Sequence, residues 1–133
     1  MIPQKTLVVV ATGAEAKFYR TSGSEGQLKL REQGALKPQH LNDDGPSGHR
    51  PKESSHQETD EATFAKQLGH HLNAEALAGK FEHIIIIVDP GTLGELRPVL
   101  NKAVNIRIHT EIHKTLIHQS PEQIAQAISK HEL

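Results

Sequence analysis

The order of the secondary-structure patterns is the feature that most limits the folds open to this chain. Three strand patterns come first, at 7–11, 15–20 and 27–33, and helix, strand, helix, strand and helix patterns follow them. The run 7–11, like the run 84–88, is apolar throughout, which is typical of a central strand buried on both faces. The sequence therefore predicts an α/β fold in which helices cover both faces of a partly parallel sheet.

The helix patterns in the middle of the chain have recognisable ends. The first begins at Ser55 or Thr59, both of which suit an N-cap, and it stops before Gly79. The second spans 92–103, where Pro98 should kink or split the helix.

The last part of the chain predicts one more strand and one more helix. The strand pattern spans 104–112, with Ile106, Ile108 and Ile112 expected on one face. The run Ser-Pro-Glu-Gln at 120–123 is a capping box with proline at the first helical position, so a helix should begin there.

Few folds use this order of elements. If the first three strands form a meander, the mixed five-stranded sheet has the order 3-2-1-4-5 and the elements run βββαβαβα, the three-layer arrangement of the ribonuclease H-like fold. A length of 133 residues suits a single domain, 1–133. Leucines alternate with basic residues in 27–33, which indicates an edge strand through which a homodimer could form.

The composition excludes several classes of protein. The 15 Lys and Arg residues balance 16 Asp and Glu residues, whereas strong nonspecific nucleic-acid binders carry a basic excess. Aromatic residues make up 3% of the chain, too few for a platform on which single-stranded nucleic acid stacks. The chain has no cysteine, so disulfides and thiolate metal sites are excluded. Since there is no signal pattern or membrane-spanning apolar stretch, we expect a cytoplasmic protein with no membrane partner.

A polar segment at about 37–57 separates the third strand pattern from the first helix pattern. Loops of this length are uncommon and tend to be functional or disordered, so we expect it to order on a partner. Its candidate binding residues are Lys37, His49, Arg50 and Lys52. The three cations could contact phosphates, although simple solvation explains them as well.

Ligands collect at the carboxyl ends of parallel strands in open α/β sheets. These ends carry Thr12 and Gly13 after the first strand, Asp89 after the fourth and 109–113 in the fifth. We therefore expect Gly13, Asp89 and His109 to share one rim of the sheet. The candidate binding residues in this region are Thr12, Gly13, His109, His113, Lys114 and His118.

Four acidic residues are candidates for catalysis: Asp89, Glu58, Glu61 and Glu111. A two-metal hydrolase holds its cations with several carboxylates, and Thr12 stands where the first strand should supply one. Asp89 also suits an ordinary turn, and the helix dipole alone favours acids in a first helical turn. Since the histidine spacing does not suit a metal site on a strand, we expect no metal site and no cofactor.

Several segments together resemble one bacterial family. They are Leu-Val-Val-Val-Ala-Thr-Gly-Ala-Glu-Ala-Lys-Phe-Tyr at 7–19, the long helix followed by Gly-Lys-Phe at 79–81, the run 84–97, and Glu-Ile-His-Lys-Thr-Leu-Ile-His at 111–118. On these residues the chain resembles the bacterial "protein required for attachment to host cells" family. That family is similar in turn to the middle domain of archaeal and eukaryotic peptide-chain release factors.

The resemblance implies a position for a functional loop. In the release-factor domain, a Gly-Gly-Gln loop between the third strand and the long helix helps water attack the peptidyl-tRNA ester. The matching segment here is 37–57, where Gly48 and His49 are the nearest fragment and Gln57 lacks the preceding glycines. The resemblance therefore implies a module that binds ribosomal RNA or tRNA without release activity.

Three hypotheses for the function follow. The first is this non-catalytic, release-factor-like binding module for the ribosome or tRNA. The second is a divalent-metal-dependent hydrolase with a degenerate ribonuclease H-like site, built on Asp89, Glu58 or Glu61 with His109 or His113. The third is a protein-interaction domain in an attachment or stress pathway, with the edge strand as its contact surface. Whether the protein is an enzyme stays open, and a binding protein is the favoured interpretation.

Overall fold

Five strands and four helices make up the part of the chain that the structure describes. The structure is a computed structural model that describes residues 2–23, 27–38 and 56–132, with the backbone alone at 56–60 and 132. The elements are β1 (Leu7–Ala11), β2 (Ala16–Ser22), β3 (Lys29–Leu36), α1 (His56–Leu77), β4 (Ile84–Val88), α2 (Pro90–Leu96), α3 (Lys102–Asn105), β5 (Ile108–Ile112) and α4 (Pro121–Glu132). None of these described helices is both long enough and apolar enough to cross a bilayer.

The five strands form one mixed sheet in the order β3-β2-β1-β4-β5. β1 pairs antiparallel with β2, and β2 pairs antiparallel with β3, whereas β1 pairs parallel with β4 and β4 with β5. The predicted strand order and order of elements are thereby confirmed, and β3 lies at an edge as expected. Leu7 lies opposite Ile84 and Ala11 opposite Val88, so β1 and β4 begin and end side by side.

The two apolar strands are buried on both faces of the sheet. Every residue of β1 and β4 is buried, with an exposed fraction of 4% or less. Val9 and Ile86 join a cluster with Phe64 of α1, whereas Val10 and Ile87 join a second cluster with residues of α4. Because burial of one Val or Ile side chain stabilises a fold by about 1.5–3 kcal/mol, these two strands hold the three layers together.

α1 ends in a Schellman motif at the predicted glycine. Gly79 has a φ of 72°, a left-handed conformation that glycine adopts readily. The Gly79 N–H donates to the Ala76 carbonyl at 3.1 Å, and the Lys80 N–H donates to the Glu75 carbonyl at 2.9 Å. Gly79 is thus confirmed as the end of the long helix.

One of the two predicted starts of α1, the one at Thr59, is wrong. The backbone is already helical at His56, so Thr59 lies inside the helix and is not its N-cap. Ser55 lies outside the described residues.

Pro98 separates two helices, in agreement with the predicted split. α3 is capped by Asn101, whose Oδ1 accepts a hydrogen bond from the Val104 N–H at 3.1 Å. Asn73 of α1 fixes the connection: its Oδ1 accepts from the Asn101 N–H at 2.9 Å and its Nδ2 donates to the Val99 carbonyl at 3.0 Å. One carboxamide therefore ties the α2–α3 connection to α1.

β5 is shorter than the predicted strand 104–112. It begins at Ile108, because the residues at 102–105 form α3 instead. Ile106 lies between the two elements with an exposed fraction of 67%, so its predicted place on the inner face of the strand is wrong.

A β-bulge changes the faces of β5. Ile108 pairs with the first residue of β4, but Thr110 pairs with the second, so His109 is the extra residue. As a result, Ile108 packs in the cluster on the α1 side, whereas Ile112 packs in the cluster on the α4 side. The prediction that both isoleucines share a face is wrong because strict alternation does not survive the bulge.

α4 begins at the predicted capping box, which is confirmed. The Ser120 Oγ accepts a hydrogen bond from the Gln123 N–H at 3.1 Å, and the Gln123 Oε1 accepts from the Ser120 N–H at 2.9 Å. The helix that follows places Ile124 and Ile128, both fully buried, against the second face of the sheet.

Candidate functional site

The carboxyl ends of β1, β4 and β5 lie side by side at one edge of the sheet. The last residues of β1 and β4 pair with each other, and the last residue of β5 pairs with the fourth residue of β4. The residues that follow these strands are Thr12 and Gly13, Asp89, and His113, and we call them, together with the side chains around them, the carboxyl rim. Gly13 and Asp89 thus share one end of the sheet, as expected.

His109 does not belong to the carboxyl rim. It lies at the bulge near the start of β5, level with the first residues of β4, which is the other end of the parallel strands. Its Nδ1 lies 2.8 Å from the Thr110 Oγ1. The expected grouping of His109 with Gly13 and Asp89 is therefore wrong, because β5 starts later in the sequence than predicted.

Thr12 closes the turn between β1 and β2. Its Oγ1 accepts hydrogen bonds from the Ala14 N–H at 3.0 Å and the Glu15 N–H at 3.3 Å. Its own N–H donates to the Glu15 carbonyl at 2.9 Å. The hydroxyl is thus used locally to fix the turn that presents the next residue, Gly13, to α1.

Gly13 is buried against the first turns of α1. A Cβ built at this position would lie 2.7 Å from both the Cβ and the Cγ of Glu61, closer than non-bonded carbons approach. The absence of a side chain at position 13 therefore lets α1 lie over the end of β1. In this way the fold brings Glu61, a candidate acid, to the carboxyl rim.

Asp89 is the N-cap of α2. Its Oδ2 accepts a hydrogen bond from the Thr92 N–H at 2.9 Å, and the Thr92 Oγ1 donates to the same carboxylate, 2.8 Å from Oδ1 and 3.0 Å from Oδ2. An aspartate in this position satisfies an otherwise unpaired N–H and interacts favourably with the helix dipole. The carboxylate is held in a fixed orientation by these contacts.

Glu111 on β5 forms an ion pair with Arg97 and lies next to His113. Its Oε1 lies 2.8 Å from an Arg97 guanidinium nitrogen and 3.3 Å from the His113 Nε2. The Glu111 side chain is 19% exposed, whereas those of Arg97 and His113 are 56% and 49% exposed. The carboxylate is therefore covered by two nitrogen-bearing side chains that face solvent and could meet an anionic partner.

Three further candidate residues lie on described segments: Lys37, Lys114 and His118. Lys37 is exposed directly after β3, and His118 is exposed in the connection between β5 and α4. Lys114 lines a cavity of about 520 Å³ together with α4 residues that include Gln126 and Lys130.

The remaining candidates cannot be located in the same way. His49, Arg50 and Lys52 lie outside the described residues. Glu58 belongs to α1, where only its backbone is described.

The carboxylate candidates at the rim have separate partners. Glu61 packs against Gly13, Asp89 caps α2, and Glu111 pairs with Arg97. Within 2–23, 27–38 and 61–131, where side chains are described, no group of three or more His, Asp and Glu residues could hold one metal ion. What these rim residues offer is hydrogen bonding and ion pairing.

Arg97 is a rim residue that sequence analysis did not select as a candidate. It follows α2, where a cation is favoured by the negative end of the helix dipole. That local signal gives a reason for a basic residue there, but it does not reveal the partner. The contact with Glu111 depends on the register of β5 against β4, which the pattern of a single strand does not contain.

The profile of one protein family matches most of the chain. The family is described as "Bacterial archaeo-eukaryotic release factor family 12", and the match covers residues 5–128. The predicted likeness to release factors is therefore supported. The predicted membership of the host-attachment family is not supported by this match.

Among solved structures, the chain is similar to the crystal structure of an archaeal translation termination factor, aRF1, with a TM-score of 0.50 and 12% sequence identity. The similarity covers 94% of this chain and 34% of the termination factor, so the chain spans about a third of that protein. At this identity the likeness concerns the fold alone. No curated protein is significantly similar to the chain in sequence. The family match covers residues 5–128 and does not depend on the likeness in fold. The chain therefore belongs to bacterial archaeo-eukaryotic release factor family 12.

Proposed function

We propose that this protein is a non-catalytic, release-factor-like module that binds the ribosome or tRNA. The observation that carries the proposal is the family match at 5–128, which includes all five strands and all but the end of α4. The family takes its name from release factors, and one solved structure with a similar fold is that of a translation termination factor. A partner in translation is the simplest role for a chain with this ancestry.

The binding surface in this proposal combines the polar segment 37–57 with the carboxyl rim. The segment connects the end of β3 to the start of α1. Glu61, one turn further along α1, lies against Gly13 at the rim. This connection in the chain supports a binding surface to which both the segment and the rim contribute.

Cations on this surface supply the contacts to phosphate groups. Lys37, Arg50 and Lys52 belong to the polar segment. At the rim, Arg97 exposes about half of its side chain. Since phosphate contacts dominate the affinity of proteins for nucleic acids, a few such cations can bind RNA even though the chain as a whole is nearly neutral.

The carboxylates of Asp89 and Glu111 at the rim are already engaged in contacts within the protein, which agrees with binding without catalysis. Both carboxylate oxygens of Asp89 accept hydrogen bonds from Thr92, and Glu111 is paired with Arg97. The sequence also has no Gly-Gly-Gln motif with which to approach a peptidyl-tRNA ester. The rim groups thus support recognition, which needs fixed donors and acceptors, more than acid–base chemistry.

Sedimentation with ribosomes tests this proposal. The full chain and a variant that lacks 38–56 are each centrifuged with bacterial ribosomes, and the pelleted fraction is measured. We expect the full chain in the ribosomal pellet and much less of the variant, whose folding is verified by circular dichroism. Equal absence of both proteins from the pellet would contradict ribosome binding, and the same pair with tRNA in a fluorescence anisotropy titration tests the other ligand.

The edge strand offers a second contact surface, for which we propose another copy of the chain as partner. β3 lies at the edge of the sheet, and its residues at 31–35 are all exposed. Lys29 and Arg31 on this strand argue against uncontrolled pairing. Analytical ultracentrifugation over a range of concentrations should detect reversible self-association, and a monomer at every concentration would contradict it.

A further inference from the structure

A cavity of about 640 Å³ lies at the amino ends of the parallel strands, opposite to the carboxyl rim. Its walls come from the residues before β1, the ends of β2 and β3, and the turn after α1. Four of the lining side chains are cationic: Lys5, Arg20, Arg31 and Lys80. We propose that this amino-end cavity binds a phosphate group. The proposal goes beyond ribosome or tRNA binding at the rim and depends on different residues.

The cavity concentrates positive charge in a chain whose formal net charge is only -1. Glu82 is the one acidic residue in the lining. Among the residues that the structure describes, none of the four cations is ion-paired with a carboxylate. A cleft lined by one sign of charge focuses the electrostatic field and attracts counter-ions, so an anion is the expected ligand.

Arg20 and Arg31 are a like-charged pair at the centre of this cluster. They lie directly opposite each other on the antiparallel strands β2 and β3, so both side chains are on the same face of the sheet. Like charges in this position destabilise a sheet. A phosphate between the two guanidinium groups would remove the repulsion and match their bidentate hydrogen-bonding geometry.

The guanidinium of Arg20 is held in place by two backbone carbonyls. One terminal nitrogen donates to the Lys5 carbonyl at 3.2 Å, and the other donates to the Lys80 carbonyl at 2.9 Å. These bonds fix the Arg20 guanidinium between the backbones of Lys5 and Lys80. Because the Arg20 side chain is already ordered, a ligand that binds here does not add the entropy cost of ordering it.

Lys5 has an unusual backbone conformation at the entrance to β1. Its φ is 64°, and in the described part of the chain no other non-glycine residue has a positive φ. The Lys5 N–H donates to the Thr21 carbonyl at 2.9 Å, and its own carbonyl accepts from Arg20. Strained residues that the surroundings fix in this way cluster at ligand sites, which supports a binding role for this lysine.

The carboxyl end of α1 opposes an anion in the cavity less than a helix end with unpaired carbonyls would. The carbonyls of Glu75 and Ala76 accept hydrogen bonds within the Schellman motif, and the Lys80 carbonyl accepts from Arg20. These bonds reduce the partial negative charge that a helix end otherwise presents. The cavity volume lies in the range of about 300–1,000 Å³ that is usual for small-molecule sites, so it has room for a phosphate and the group attached to it.

Titration with inorganic pyrophosphate, followed by calorimetry and two-dimensional amide NMR spectra, tests the proposal on the full chain. We expect saturable binding, with the largest spectral changes at Lys5, Thr21 and Lys80. Arg31→Gln and Lys80→Gln should each weaken binding about tenfold, the usual effect of losing one hydrogen bond to a charged group. Lys66→Gln, which removes an exposed lysine of α1 outside the cavity, is the matched control and should bind like the wild type.

Competition with tRNA identifies the source of the phosphate. Displacement of pyrophosphate by tRNA would assign the cavity to an RNA backbone, whereas retention would assign it to a free phosphorylated molecule. Either result supports a phosphate site in this cavity. No saturable binding by the wild type, or equal binding by the wild type, Arg31→Gln and Lys80→Gln, would overturn it. Because the readout is pyrophosphate binding, this proposal and the ribosome proposal can fail separately.

Discussion

Asp89 and Glu61 reach the carboxyl rim by different routes. Asp89 caps α2 through Thr92, only three residues away, and the run Asp-Pro-Gly after an apolar strand was sufficient to predict a local turn role for it. The contact between Glu61 and Gly13 instead joins two distant parts of the chain. No local pattern reveals such a contact, so the sequence identifies Glu61 only as one of four candidate acids.

Replacement of Gly13 tests the approach of α1 to the end of β1. Gly13→Ala should destabilise the protein by about 1–3 kcal/mol, since the new methyl group overlaps the Glu61 side chain. Gly94→Ala is the matched control, because nothing beyond its chain neighbours and the backbone of its own helix lies within 4 Å of a Cβ there. Urea unfolding measures both variants. A Gly13→Ala protein as stable as the control would contradict the close packing at the rim.

Tyr19 provides a spectroscopic test of packing on the face of the sheet that α4 covers. Burial raises the pKa of its phenol above the usual value, and the charge of Glu32 raises it further. The neutral phenol is thus favoured in the folded state, so its contribution to stability is complete below pH about 10 and is lost as the pH rises through the folded pKa. Tyr19 is the only tyrosine, so tyrosinate absorbance reports it alone. The midpoint should lie higher in the folded protein than in urea, and equal midpoints would contradict burial.

The accuracy of the sequence predictions varied from element to element. β1 and β4 were placed correctly because uninterrupted apolar runs have few alternatives in a sheet covered on both faces. α4 was placed correctly because its capping box is a local signal. β5 was extended too far, and its faces were wrong beyond the bulge at His109. The bulge arises from pairing with β4, which a single strand pattern does not contain.

The connection between α2 and α3 depends on one carboxamide, and its removal has a predictable cost. Asn73→Ala leaves the Val99 carbonyl and the Asn101 N–H without the partner that each has now. We expect a loss of about 1–3 kcal/mol in the free energy of unfolding, the cost of unpaired groups in partly buried positions. Asn105→Ala removes only a long side-chain contact of 3.4 Å and should change stability by less than about 0.5 kcal/mol. Chemical denaturation compares the two, and similar stabilities would contradict the role of Asn73.

The whole molecule has a candidate site at each end of one sheet. The carboxyl rim carries turns, a helix cap and the ion pair of Arg97 with Glu111, and in the proposed function it is joined by the polar segment 37–57. The amino ends of the same strands carry the cationic cavity, whose residues come from four separate parts of the chain and therefore left no pattern in the sequence. Positive charge is thus distributed unevenly in a protein that is nearly neutral overall.

Ribosome sedimentation at increasing salt, with two matched triple variants, tests the central claim most directly. One variant neutralises the polar segment by Lys37→Gln, Arg50→Gln and Lys52→Gln. The control removes three exposed lysines elsewhere, by Lys29→Gln, Lys66→Gln and Lys102→Gln, so both variants lose the same charge. If the segment contacts RNA phosphates, the first variant should bind less, and its slope of log affinity against log salt should be shallower by about two. The control should match the wild type. A wild type that never sediments with ribosomes, or two variants that behave alike, would contradict the account.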